Sequence, residues 1–172
     1  MGLAGHKLDL YILGALPLQD YCDDLRLVLS DLQAEGALDS TGSPKDASVL
    51  IEGGVVRVRL EAPTGPRFYS NTKGGFRAAC SVCSYNLTGV FASAVTAWRE
   101  GGRSEEAART ATVVCRRCGH TCALTDTSCQ PEAGFGWGAL VLHDAASLRL
   151  TTRFHDLLVS HLGSYRVVGT RA

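Results

Sequence analysis

The sequence carries no net charge, with 17 Lys and Arg against 17 Asp and Glu, so nothing global draws it to nucleic acid or to a membrane surface. It has no apolar run approaching the roughly 20 residues that span a bilayer. Its first apolar stretch is interrupted by Lys7 and Asp9 and has no cleavage-like site after it, so neither an anchor nor a signal peptide is expected. No P-loop is present, no Gly-x-Ser-x-Gly and no His-Glu-x-x-His, which removes the commonest nucleotide, hydrolase and metalloprotease signatures. Gly and Pro, at 19 and 5, stay below the levels of a disordered chain. Lysine is scarce, 3 residues against 14 arginines, a bias that a GC-rich genome explains without a binding role. These absences point to a cytoplasmic, bacterial protein with no membrane partner.

A hydrophobic fraction of 45% over 172 residues supports one domain, or one domain with a small insert. Lys7–Leu13 reads as a strand with Leu8, Leu10 and Ile12 on one face. After Pro17, Leu18, Tyr21, Cys22, Leu25, Val28, Leu29 and Leu32 recur at helical spacing to about Ala34, and Gly36 ends the run. Residues 37–45 read as a loop. Ser48–Glu52 and Val55–Glu61 read as a hairpin across Gly53-Gly54, with Val56, Val58 and Leu60 inward. Beyond Pro63, Gly65 and Pro66 the pattern changes to cysteine knuckles around one short helix, Thr88–Arg99, whose stripe is Val90, Phe91, Ala94, Val95 and Trp98. An apolar strand resumes at Ala139–Leu142. A helix capped by Asp144 runs to about Leu162, and Tyr165–Gly169 forms the last strand.

With residues 65–130 set aside, the order is strand, helix, strand, then strand, helix, strand. The expected class is α+β: a ferredoxin-like platform with an antiparallel sheet and two helices, built from residues 1–64 and 131–172. Residues 65–130 form an inserted four-cysteine subdomain.

Within the insert, Cys80-Ser-Val-Cys83 and Cys115-Arg-Arg-Cys118 are two x2-spaced pairs, a spacing that supplies four thiolates to one tetrahedral metal. Cys80-Ser-Val-Cys83-Ser-Tyr-Asn-Leu87 and Cys118-Gly119-His120 resemble the two knuckles of a zinc ribbon over roughly residues 76–124. The resemblance implies one structural Zn²⁺ on Cys80, Cys83, Cys115 and Cys118. His120, Cys122 and Cys129 are alternative donors. Neither pair opens a helix after a strand as a thioredoxin-type motif does. An odd cysteine count argues against a disulfide framework.

Residues 66–120 hold eight basic residues against three acidic, a balance of +5, and the remainder nine against fourteen, a balance of −5. A four-thiolate zinc site lowers the insert's balance to about +3. Arg77, Arg99, Arg103, Arg109, Arg116 and Arg117 are the candidate basic contacts, and Phe68, Tyr69, Phe76 and Tyr85 could stack on bases. Gly134-Phe-Gly-Trp-Gly138 precedes a strand and so reads as a hinge, not a phosphate loop. The pairs His143-Asp144 and His155-Asp156 diverge, being sequence neighbours, and Asp20, Asp23 and Asp24 suit a helix start. No catalytic residue is assigned. The leading expectation is a non-catalytic zinc protein that binds another protein, as an adaptor, a regulator or an immunity-type inhibitor. The alternative is nucleic-acid binding through the basic insert.

Overall fold

The computed structural model describes residues 7–171. The expectation of no leader concerns in part residues 1–6, which lie outside the described residues. Strand β1 (Leu8–Gly14) sends Leu10 and Ile12 to one face and Tyr11 and Leu13 to the other, as strand alternation requires. Helix α1 (Cys22–Ala34) starts four residues later than the apolar pattern suggests, because the Asp20 carboxylate accepts a bond from the Cys22 N–H at 2.8 Å and turns the chain there. Leu25, Val28 and Leu32 form its buried stripe.

The hairpin expected at Ser48–Glu61 does not form. Gly53 and Gly54 do turn with positive φ. The flanking backbone, however, bonds outward to the far end of the chain: Glu52 N–H to Arg149 O, Val56 N–H to His143 O, and Ala146 N–H to Gly54 O, each at 3.0 Å. Only β2 (Arg57–Glu61) is a strand, and Val56 is 56% exposed instead of facing inward. The outer edge of β2 meets the 37–45 loop, where Val58 N–H donates to Gly42 O at 2.7 Å. A Cβ on Gly42 would sit 2.0 Å from the Val58 carbonyl oxygen, so glycine is required for that approach.

Next in the chain come β3 (Arg67–Tyr69), β4 (Arg77–Ala79), α2 (Thr88–Glu100), α3 (Glu105–Thr110), β5 (Thr112–Val114), β6 (Thr121–Ala123), one 3₁₀ turn at Leu124–Asp126, β7 (Ser128–Gln130) and β8 (Gly134–Gly136). β3 pairs with β8 and β4 with β7, so the glycine run expected to be a hinge is partly a strand. The short helix α3 went unforeseen, although Ser104 caps it and Glu105 and Glu106 fill its first turn. On α2, Phe91, Val95 and Trp98 are buried while Val90 faces solvent.

The chain closes with β9 (Ala139–Ala145), α4 (Thr152–Leu162) and β10 (Tyr165–Arg171). Thr151, not Asp144, caps α4: its hydroxyl accepts from Phe154 N–H at 3.3 Å and donates to Val49 O at 2.8 Å. Asp144 stays within β9 at φ 53°. The four long strands order as β10-β1-β9-β2, every neighbour antiparallel. β1 and β2 therefore run alike with β9 between them, and β9 and β10 run alike with β1 between them.

One core fills the space between this sheet and the helices α1 and α4, with Leu10, Ile12, Val58, Leu140 and Leu142 meeting Leu25, Val28, Phe154 and Leu158. A second core lies around Phe91, Val95, Trp98, Leu124 and Phe135. The helix-free face of the sheet carries a third, smaller cluster, in which Tyr69 from β3 packs over Leu13, Val141 and Val168. Among the described residues, no helix is long and apolar enough to cross a membrane.

Candidate metal centre

Two turns of the same construction carry the cysteines. In the first, Ser84 N–H bonds to Cys80 O and Cys80 N–H to Tyr85 O, both at 2.9 Å. In the second, Gly119 N–H bonds to Cys115 O and Cys115 N–H to His120 O, both at 2.8 Å. The fifth residue of each turn must take positive φ to bring the chain back, and Ser84 (58°) and Gly119 (73°) do so. β4 and the start of α2 hold the first turn, while β5 and β6 form a ladder that holds the second.

The turns face each other. Cys80 Sγ lies 3.7 Å from Cys118 Sγ, and Cys83 Sγ lies 3.6 Å from Cys115 Sγ. All four sulfurs fall within 4.8 Å of one another, a group able to hold a metal ion. All seven cysteines are free thiols, so none is committed to a disulfide.

Backbone amides prepare the first sulfur of each pair to ionise. The N–H groups of Cys83 and Val82 bring the Cys80 thiol down to about 6. At Cys115 burial pushes upward, yet the amides of Cys118 and Arg117 leave the thiol below its ordinary value. Against the amide of His120, burial and the neighbouring sulfurs push Cys118 up to about 12. Four crowded sulfurs without a cation cannot all be thiolates. A divalent metal at their centre removes that repulsion.

The alternative donors fall outside this group of four. His120 contributes its backbone carbonyl to the second turn. Cys122 is buried with its Sγ 3.9 Å from Cys80 Sγ, behind the group of four. Cys129 sits against the Thr127 carbonyl, and burial pushes its thiol up to about 12.

The candidate basic contacts sit on several elements. Arg77 reaches toward Ser84 O at the first turn. Arg116 and Arg117 are exposed on the second. Arg109 is tied to Glu105 at 2.5 Å on α3. Arg99 and Arg103 share a cleft at the end of α2 with Arg67. Of the aromatics, Phe68 and Phe76 pack with Phe91, Phe135 and Trp98 at ring separations of 4.9–5.8 Å, while Tyr85 is 40% exposed.

His143 and His155 have partners other than their neighbouring aspartates, and His161 is partnered as well. His143 stands between Asp9 Oδ1, 3.3 Å away, and Arg59 Nε, which donates to its Nε2 at 2.8 Å. His155 bonds to the Tyr165 hydroxyl at 2.6 Å and His161 to Asp31 at 2.7 Å. Asp9, His143, Arg59, Glu61, Arg67 and Tyr69 form a continuous polar row on the helix-free sheet face. Sequence reasoning did not find this row, nor Tyr11 beside it, whose ring lies 5.2 Å from that of Tyr69. Strand register alone brings these residues together. Asp23 pairs with Arg26 at 2.6 Å. Among the described residues, the acidic run at the start of α1 joins no metal-binding group.

No family model, curated protein or solved structure matches this chain.

Proposed function

We propose that this chain is a non-catalytic zinc protein whose insert engages another protein, as an adaptor, a regulator or an immunity-type inhibitor. The sulfur geometry supports zinc. Bonds of about 2.3 Å at tetrahedral angles separate thiolates by about 3.8 Å, close to the 3.6 and 3.7 Å seen across the two turns. A hard cation such as calcium or magnesium would require oxygen donors. Four thiolates leave no position for water or substrate, which makes the metal structural. Free thiols suit a reducing, cytoplasmic setting.

The strand order and directions support a ferredoxin-like platform, with residues 65–130 as its zinc-ribbon-like insert. The insert's apolar cluster, drawn mainly from residues 76–135, supports treating it as a unit with its own core.

One observation carries the protein-binding reading: apolar side chains are exposed on the rigid turns. Val82, inside the first knuckle, is 65% exposed, and Val114, just before the second, is 57% exposed. Tyr85, Arg116 and Arg117 flank them. Aromatic and arginine side chains around a small apolar centre match the make-up of interface cores. The exposed Arg116 and Arg117 favour a partner surface with an acidic rim, and they also keep nucleic acid as the second reading.

The test compares zinc-loaded protein with its Val82→Glu/Val114→Glu variant as bait, after confirming equal metal content. We expect a protein partner retained by the first and lost by the second. The nucleic-acid reading replaces this one if no protein is retained while random single-stranded DNA or RNA binds at micromolar concentration. That binding should fall steeply with salt and disappear in Arg116→Glu/Arg117→Glu.

A further inference from the structure

Away from the metal centre, at the junction of β3 with the end of α2, a cleft of about 210 Å³ is lined by Arg67, Phe68, Trp98, Arg99 and Arg103. Three of these five residues are arginines and two are aromatic. Arg99 and Arg103 have no carboxylate within 4.0 Å among the described residues, although Glu100 and Glu105 are close in sequence. Arg67 gives one N–H to Glu61 at 2.8 Å, and a guanidinium has five such donors, so others remain.

The local backbone brings the charges together. Helix α2 ends when Gly102, at φ 96°, reverses the chain and Arg103 N–H bonds to Trp98 O at 3.1 Å. Arg103 itself then adopts φ 59°, a left-handed conformation that a residue with a Cβ avoids and that asparagine or glycine takes more easily. That turn places Arg103 at the same opening as Arg99, one helical turn earlier. The Trp98 ring is fixed by its Nε1–H, which donates to Ser104 O at 2.9 Å. The Arg99 guanidinium lies 5.8 Å from the centre of the Phe68 ring. Two guanidinium groups without acidic partners and a third held partly free, beside Phe68 and Trp98, meet the requirements of a polyanionic oxygen ligand.

We propose that this cleft binds the phosphoryl group of a small phosphate compound, with Arg99 and Arg103 as its principal donors, Arg67 bridging to it, and Phe68 and Trp98 as its apolar wall. Arginine forks match phosphoryl oxygens in pairs, which a single lysine cannot do. The cleft, at about 210 Å³, takes one phosphoryl group and a few further atoms of its ligand. Of the other candidate basic contacts, Arg109 is paired with Glu105 and Arg77 is directed to Ser84 O, while the exposed Arg116 and Arg117 belong to the second cysteine turn and do not line the cleft. This site is separate from the exposed valines of the metal turns, and neither reading depends on the other.

Calorimetric titration of zinc-loaded full-length protein in low-salt chloride buffer tests this, with inorganic phosphate, pyrophosphate and AMP as probes. We expect saturable one-to-one binding of at least one probe. Affinity should fall at least tenfold in Arg99→Gln/Arg103→Gln, with unchanged zinc content and circular dichroism. Arg109→Gln should bind as the wild type does. Tighter binding of AMP than of phosphate would identify the source as a phosphate ester. The reverse would identify free phosphate or pyrophosphate. Absence of saturation at millimolar probe would overturn the proposal, as would binding that survives the double substitution. Single-stranded oligonucleotides that bind more tightly than AMP, and in proportion to their length, would overturn the small-ligand assignment.

Discussion

At the scale of single residues, the five cysteines around the metal centre divide into four that face inward and one that stands behind. Cys122 Sγ approaches Cys80 Sγ at 3.9 Å but lies outside the group of four. Replacing it removes a small buried apolar side chain, not a ligand. We therefore expect Cys122→Ala to keep one zinc per chain and Cys80→Ser to lose it, as read by metal analysis of the purified proteins. Loss of zinc from Cys122→Ala with retention in Cys118→Ser would show that the ligand set has shifted toward Cys122. The four cysteines were legible in the sequence because a knuckle is local: two cysteines at x2 spacing and a following glycine or small residue determine its shape. The arginine cleft and the Asp9–His143–Arg59–Glu61 row were not legible. Each draws on segments dozens of residues apart, Arg67 with Arg99 and Arg103 in one and Asp9, Arg59 and His143 in the other, which meet only through the fold.

At the scale of elements, side-chain hydrogen bonds at helix starts set boundaries that apolar periodicity does not mark. The pattern from Leu18 to Ala34 carries no mark at Cys22, where Asp20 turns the chain into α1. Ser104 followed by two glutamates is a readable helix start, but the six residues of α3 are too few to show a period. At Ser48–Glu61 the local hairpin signal lost to non-local partners. Leu50 and Ile51 are buried, and Thr151 N–H bonds to Leu50 O at 2.9 Å, so this stretch is tied to the start of α4 instead of to β2. Thr151 thus joins two parts of the platform, capping α4 and bonding to Val49 O. We expect Thr151→Ala to lower unfolding free energy by about 1–2 kcal/mol in denaturant titration. Thr151→Ser should restore most of that loss. Equal stability of the alanine variant and wild type would remove the cap from the account.

At the scale of the whole molecule, two apolar cores support two kinds of stability. The platform core is made of long strands and two helices, with Leu10, Ile12, Leu140, Leu142, Phe154 and Leu158 fully buried. Each such side chain contributes about 1.5–3 kcal/mol. Residues 67–136 have three-residue strands, the helices α2 and α3 and an aromatic cluster, and two of their ladders, β3 with β8 and β4 with β7, join the two ends of this segment. A structural zinc in such a module supplies on the order of 10 kcal/mol or more of folding free energy. Strand, helix and strand on each side of an interruption could be read from the sequence, because each long element carries its own period. These two ladders could not, since three-residue strands such as Arg67–Tyr69 and Gly134–Gly136 carry no period, and their pairing is set by the closure of the insert.

Hydrogen exchange, followed by mass spectrometry on the full chain with zinc bound and after chelation, tests the structural role of the metal most directly. We expect one zinc per chain. Its removal should expose amides across residues 77–130 while β1, β9, α1 and α4 keep their protection. Unchanged exchange in the insert after complete chelation would contradict the assignment of zinc as its structural centre, and so would protection lost equally from platform and insert.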